Sequence, residues 1–111
     1  MKALDPLRAF HVLNRYRVRY VVVGGVARFL HGDDFPLAVL QIGYQRSPEN
    51  HARLEAALRE LASTPRDSGS ETLKLNTDAG PLDCFGSPHY EEIERNAVQM
   101  AFDDVHAFVA T

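Results

Sequence analysis

Apolar residues recur at two different spacings in the N-terminal part of the chain. Leu7, Phe10, Leu13 and Tyr16 fall at helical intervals behind Asp5-Pro6, an N-cap followed by proline at the first helical position. This predicts a helix from about Asp5 to about Tyr16. Arg17 to Val23, RVRYVVV, is β-branched and aromatic and ends in a continuous apolar run, which predicts a buried strand. Gly24-Gly25 ends that strand. Val26 to His31 then reads as a short helix closed by Gly32. After a turn at Asp33-Asp34-Phe35-Pro36, Leu37 to Tyr44, LAVLQIGY, predicts a second apolar strand.

Ser47-Pro48-Glu49 repeats the helix-start grammar with an acid in the first turn, and Leu54, Ala57, Leu58 and Leu61 give the following helix one apolar face. Ser63 to Ser70 has loop composition. Glu71 to Thr77 alternates as a half-buried strand, Asp78-Ala79-Gly80-Pro81 turns, and Leu82 to Phe85 forms a short strand beyond it. Ser87-Pro88 opens another predicted helix, ending near Asn96. Ala97 to Phe102 and Val105 to Val109 flank Asp103-Asp104 as a final hairpin. The order α-β-α-β-α-β-β-α-β-β describes an α+β fold, a mixed β-sheet flanked by helices.

The 111 residues fit a single domain, 1–111, and 45% hydrophobic with 24% charged residues is a globular composition rather than a disordered one. Twelve Lys and Arg against fifteen Asp and Glu leave a formal charge of -3, which argues against general nucleic-acid binding. The single cysteine, Cys84, excludes an internal disulfide and a multi-cysteine zinc site, so the reducing cytoplasm is the expected compartment. The longest apolar stretch, Tyr20 to Ala27, is too short to span a membrane, and Asp5, Pro6 and Arg8 interrupt any signal-peptide pattern.

The feature with most chemical content is Val21-Val22-Val23-Gly24-Gly25-Val26-Ala27. A buried strand runs through two glycines into a helix. Glycine allows close backbone approach, and a helix start offers free N–H groups and a positive dipole end, so a triphosphate is one candidate ligand. A tight strand-to-helix turn with nothing bound explains the same residues. Arg28, one helical step beyond the glycines, is either a phosphate contact or a surface arginine.

The run YVVVGGVARFLHG, then a strand ending in RSPENHARLEAALREL, then LNTDAGPLDCFGSPHYEEIERNAV resembles the small nucleotidyltransferases of the polymerase-beta-like superfamily. The resemblance covers nearly the whole chain, from about Leu4 to about Val109. It implies a mixed sheet flanked by helices. It also implies transfer of a nucleoside monophosphate from a nucleoside triphosphate to an acceptor, with Mg2+ as cofactor. Many members belong to toxin–antitoxin or resistance systems.

Two-metal chemistry needs several converging carboxylates. The family supplies two from an Asp-x-Asp on the strand after the Gly-Gly helix and a third from a neighbouring strand. Counted back from Ser47-Pro48-Glu49-Asn50, the Asp-x-Asp positions fall on Val39 and Gln41, and the third falls on Asp83. Valine cannot ligate a hard cation, and glutamine offers one neutral oxygen. No acid lies between Pro36 and Arg46, so this departure does not depend on register. The resemblance therefore implies a degenerate member, with Asp83 a vestige of the catalytic set. Asp33 or Asp34 reaches the site only if their turn folds back over it.

Arg15, Arg17 and Arg19 recur at period two near the first strand, as phosphate contacts or as a solvated face. His11, His31, His51, His89 and His106 are expected to be ordinary surface or half-buried histidines, and Cys84 a buried structural thiol. The expected function is that of a nucleotidyltransferase-fold protein that has lost catalysis and binds a partner, or a nucleotide through Gly24, Gly25 and Arg28. The alternative is an active enzyme with displaced carboxylates. Larger relatives of this family continue into further helices, so an uncovered apolar face is expected to be buried in a homodimer or by another protein partner.

Overall fold

The computed structural model describes residues 3–66 and 72–111. Among them the chain runs α1 (Pro6–Arg15), β1 (Tyr20–Val23), α2 (Gly24–Leu30), β2 (Leu40–Gln45), α3 (Pro48–Glu60), β3 (Thr64–Pro65), β4 (Leu73–Thr77), β5 (Gly80–Ser87), α4 (Tyr90–Asn96), β6 (Val98–Phe102) and β7 (Val105–Val109). The expected order of elements is present, with one short strand, β3, added inside the segment read as a loop. Glu71 and the second half of that loop, 67–70, lie outside the described residues.

Two of the three helix starts marked by a cap residue and proline act as the sequence indicates. The Asp5 carboxylate accepts from the Arg8 N–H at 3.2 Å, and the Ser47 hydroxyl accepts from the Asn50 N–H at 3.1 Å. Ser87-Pro88 does not start a helix. Ser87 stays in β5 opposite Gln45, its hydroxyl accepts from the His89 N–H, and α4 begins only at Tyr90.

Both long helices end in the same way. Arg17 and Ala62 enter the left-handed region at φ 57° and 53°. The N–H groups of Arg17 and Val18 then turn back onto the Asn14 and Leu13 carbonyls, and those of Ala62 and Ser63 onto Arg59 and Leu58. This turn shortens β1, which starts at Tyr20 instead of Arg17. The period-two arginines therefore share no strand face. Arg15 sits on α1 and pairs with Glu60, Arg17 forms the turn, and Arg19 pairs with Glu94 at 2.7 Å.

The strands form one mixed sheet in the order β3-β4-β5-β2-β1-β7-β6. β1 is antiparallel to β2 and parallel to β7, while β2 and β5 run parallel. Tyr20, Val22, Leu40, Ile42, Leu82 and Cys84 lie on the buried face, against Phe10 and Leu13 of α1 and Leu54, Ala57 and Leu58 of α3. Asn50 ties α3 to the sheet. Fully buried, its amide accepts from the Arg19 N–H at 2.7 Å and donates to the Arg19 and Gln45 carbonyls at 3.1 and 2.9 Å. Period-two alternation places Gln41, Gly43, Asp83 and Phe85 on the opposite face. No described helix is long and apolar enough to cross a membrane.

Candidate functional site

On that opposite face four residues lie side by side across four strands. Val23 of β1 is opposite Gln41 of β2, Gln41 is beside Asp83 of β5, and Asp83 is opposite Lys74 of β4. Gly24 follows Val23 directly. The fold thus brings together the glycine turn, Gln41 and Asp83, as the sequence suggested. Val39 is not part of this row. It lies one residue before β2 begins, because the strand starts at Leu40 and not at Leu37.

Asp83 is already occupied. The Arg66 guanidinium donates to its carboxylate, and the two side chains are only 27% and 13% exposed. Arg66 is held for this from two directions. Its backbone N–H donates to the Lys74 carbonyl at 2.8 Å, and its side chain also donates to the Leu75 carbonyl at 2.9 Å. The negative charge at the sheet centre is thus balanced by a fixed guanidinium.

Gln41 is turned toward the glycine turn. A Cβ on Gly24 would lie 1.7 Å from Gln41 Oε1, and Gly24 adopts φ +70°, so glycine is required there for both space and conformation. The face of Gly25 is covered as well, since a Cβ there would lie 2.6 Å from the Phe35 ring. Arg28 closes over that ring at 4.7 Å from its centroid and pairs with Asp33 at 3.3 Å. Segment 33–36 is therefore a strap across the start of α2, pinned by Phe35 and Asp33. Asp34 is exposed.

Beside the strap is a cleft of about 440 Å3 lined by Gly24, Ala27, Arg28, His31, Asp33, Ala110 and Thr111. Gly24 and Arg28 meet there, while Gly25 lies under Phe35. His31 is bound to the Ala110 carbonyl at 2.8 Å.

The residues present do not fit a magnesium centre. Such a site needs hard anionic oxygens converging on one point. Val39 offers no donor and lies outside the strand, Gln41 offers a neutral amide packed on Gly24, and Asp83 is held by Arg66. Among the described residues no three His, Cys, Asp or Glu side chains group as ligands. Cys84 is buried, and burial pushes its thiol up to about 12.

Two participants were not singled out from the sequence, Arg66 and Phe35. Arg66 stands alone in a loop-like segment, and its only advance signal is that a half-buried acid such as Asp83 needs a counter-charge from a neighbouring strand. Phe35 is an aromatic in a polar turn, a position with no local reason for it.

No family model and no curated protein matches the chain. Among solved structures it is similar to a crystal structure from Thermotoga maritima described as a "putative nucleotidyltransferase", at 14% identity and a TM-score of 0.70, over 98% of this chain and 80% of that one. At that identity the likeness shows the fold: this chain has a nucleotidyltransferase-like α+β architecture.

Proposed function

We propose that this protein is a non-catalytic member of the nucleotidyltransferase-like fold that acts by binding a protein partner. The observation that carries this reading is the occupied carboxylate. Asp83, where a metal ligand is expected, is neutralised by Arg66 and flanked by an amide instead of a second acid. Two cations clamping a triphosphate need a net anionic pocket, and this one is charge-balanced by the chain itself.

Binding of a protein is favoured over binding of a nucleotide because the side of each glycine onto which a Cβ would project is already filled, and Arg28 at the edge of the cleft is already paired. Gln41 fills the space beside Gly24, Phe35 fills that beside Gly25, and Arg28 is engaged by Asp33 and Phe35. Asp33 and Asp34 do not supply the missing set, because Asp33 is paired to Arg28 and Asp34 faces solvent.

The test is incubation with each α-labelled nucleoside triphosphate, in magnesium and in manganese, with cell extract as the acceptor pool. No transferred label is expected, and titration calorimetry with the same triphosphates should give no heat of binding. Label transfer abolished by Asp83→Ala would overturn the reading.

A further inference from the structure

β6 is the terminal strand of the sheet, and its outer side is available for pairing. The register with β7 decides which of its residues face outward. Phe102 and Val105 flank the two-residue loop Asp103-Asp104, so they exchange their backbone hydrogen bonds, as do Met100 with Ala107 and Val98 with Val109. The backbone N–H and C=O groups of Gln99 and Ala101 therefore point away from β7. Proteins blunt such edges with charge, proline or a bulge. β6 is VQMAF, with no charge, no proline and an unbroken register, and Val98, Gln99 and Ala101 are exposed.

We infer that this edge is a homodimer interface, formed by antiparallel pairing of β6 with β6 of a second copy about a two-fold axis at Met100. This inference goes beyond the functional reading above and does not depend on it.

The strand is self-complementary in this register. Gln99 meets Ala101 of the other copy in a hydrogen-bonded pair, using the groups that face outward. Val98 meets Phe102 on the core face, so each apolar row continues into the next, and Met100 meets Met100 as a non-hydrogen-bonded pair. Charge agrees with this arrangement and selects a second copy over an unrelated strand. Asp103 at the hairpin tip comes opposite Ala97 of the partner, the extended residue between β6 and the last turn of α4, which carries Arg95. Arg95 is exposed and makes no ion pair among the described residues. A strand pairing parallel, or shifted by several residues, would lose that match.

Sedimentation equilibrium tests the proposal. The wild-type chain should weigh twice its 12.4 kDa, falling to the monomer mass on dilution. Ala101→Lys should halve the wild-type mass by placing like charges on the edge. Gln99→Pro should do the same by removing an outward N–H while leaving the β7 hydrogen bonds intact. Met100→Cys should form a disulfide-linked dimer under mild oxidation, since non-hydrogen-bonded antiparallel pairs bring Cα atoms within disulfide range. Circular dichroism matching wild type shows that each variant is folded. A monomeric wild type overturns the inference and leaves the edge to a strand of another protein. A dimer that both edge variants leave intact overturns it also. Nucleotidyl transfer by the dimer would sink the functional reading and leave this one standing.

Discussion

The Arg66 guanidinium is hydrogen-bonded to the Asp83 carboxylate across the β4 strand that separates their elements, with both side chains largely out of solvent. Removing one partner of such a pair leaves the other uncompensated. Arg66→Ala is expected to destabilise the fold by about 1–3 kcal/mol, discounted from the fully buried case because both groups keep some water contact. Asp83→Asn should cost less, since the amide oxygen still accepts from Arg66. The double variant should cost less than the sum of the two single ones, as read from urea-unfolding midpoints at constant m. Strict additivity would mean that the pair is not formed in solution.

Gly24 and Gln41 are coupled in a different way. Gly24→Ala places a methyl inside the van der Waals envelope of the Gln41 amide and strains a backbone at φ +70°. The expected cost is about 1–3 kcal/mol. Adding Gln41→Ala should recover the clash but not the strain, so the rescue is partial. Gly80→Ala should behave worse, because its new Cβ would meet backbone, Leu4 Cα at 2.7 Å and the Ala3 carbonyl oxygen at 3.0 Å. That contact sits beside the Asp5 N–H to Ala79 carbonyl bond of 2.8 Å, so a second substitution on a side chain cannot relieve it. Thermal melts of the three variants check the ranking.

These two cases mark where the sequence was informative. Elements with local signals, the helices behind the Asp5 and Ser47 caps and the apolar end of the run before Gly24, form where the pattern puts them. Errors arise where tertiary pairing decides. Leu37 to Val39 carry strand-like composition but pair with no strand, and they join β2 to the strap that seats Phe35 on Gly25. Ser87-Pro88 has helix-start grammar, yet the parallel ladder with β2 holds Ser87 in a strand. In the site, the missing acids at Val39 and Gln41 were visible in the sequence, whereas the replacement of a cation by Arg66 was not. That contact spans 17 residues and depends on a two-residue strand that no periodicity reveals.

If Arg66 is what closes the site to cations, adding acids alone will not reopen it. Val39→Asp with Gln41→Asp in the wild-type background is expected to give no metal-dependent stabilisation. The triple variant with Arg66→Ala should gain a rise in melting temperature with manganese concentration, following the mass-action dependence of a ligand that binds only the folded state. Equal responses in the double and triple variants would show that Arg66 does not matter to the site. No response in either would show that Val39, lying before the strand, cannot aim a carboxylate at Asp83.

Asn50 is a structural keystone without a chemical role. Its buried amide bonds one donor and two acceptors of the backbone at Arg19, just before β1, and Gln45, at the end of β2. Asn50→Ala strands the Arg19 N–H and takes one of two bonds from each carbonyl, since the Arg19 carbonyl still accepts from the Gln45 N–H and the Gln45 carbonyl from the Ser47 N–H, at an expected cost of about 1–3 kcal/mol. Asn50→Asp keeps the acceptor for the Arg19 N–H but sets a carboxylate against the Arg19 and Gln45 carbonyls. It should therefore destabilise at neutral pH and recover in part on acidification, as the carboxyl regains a proton to donate. Urea unfolding at pH 4 and pH 7 separates the two effects, at roughly the carboxylate's titration range and above it. Indifference to pH would mean that the pocket admits water.

Cys84 supplies a probe of the whole core. Burial pushes its thiol up to about 12, from an ordinary value of 9.0. Above the ordinary value the unfolded chain releases a proton that the folded chain retains, so mass action favours unfolding. The thiol's contribution to stability is thus complete below about pH 9 and is lost as the pH rises toward 12. Tyr20 and Tyr90 share that sign, since burial raises both phenols, so the comparison must be with Cys84→Ala, which keeps them. The variant should lose less stability than the wild type across that range. At neutral pH the folded thiol is protonated and enclosed, and its alkylation should proceed only through global opening. The labelling rate should then rise with urea along the same slope as the unfolding constant. Rapid labelling in the absence of urea would place Cys84 at a solvent-reached surface and contradict the packing of β5 against α3.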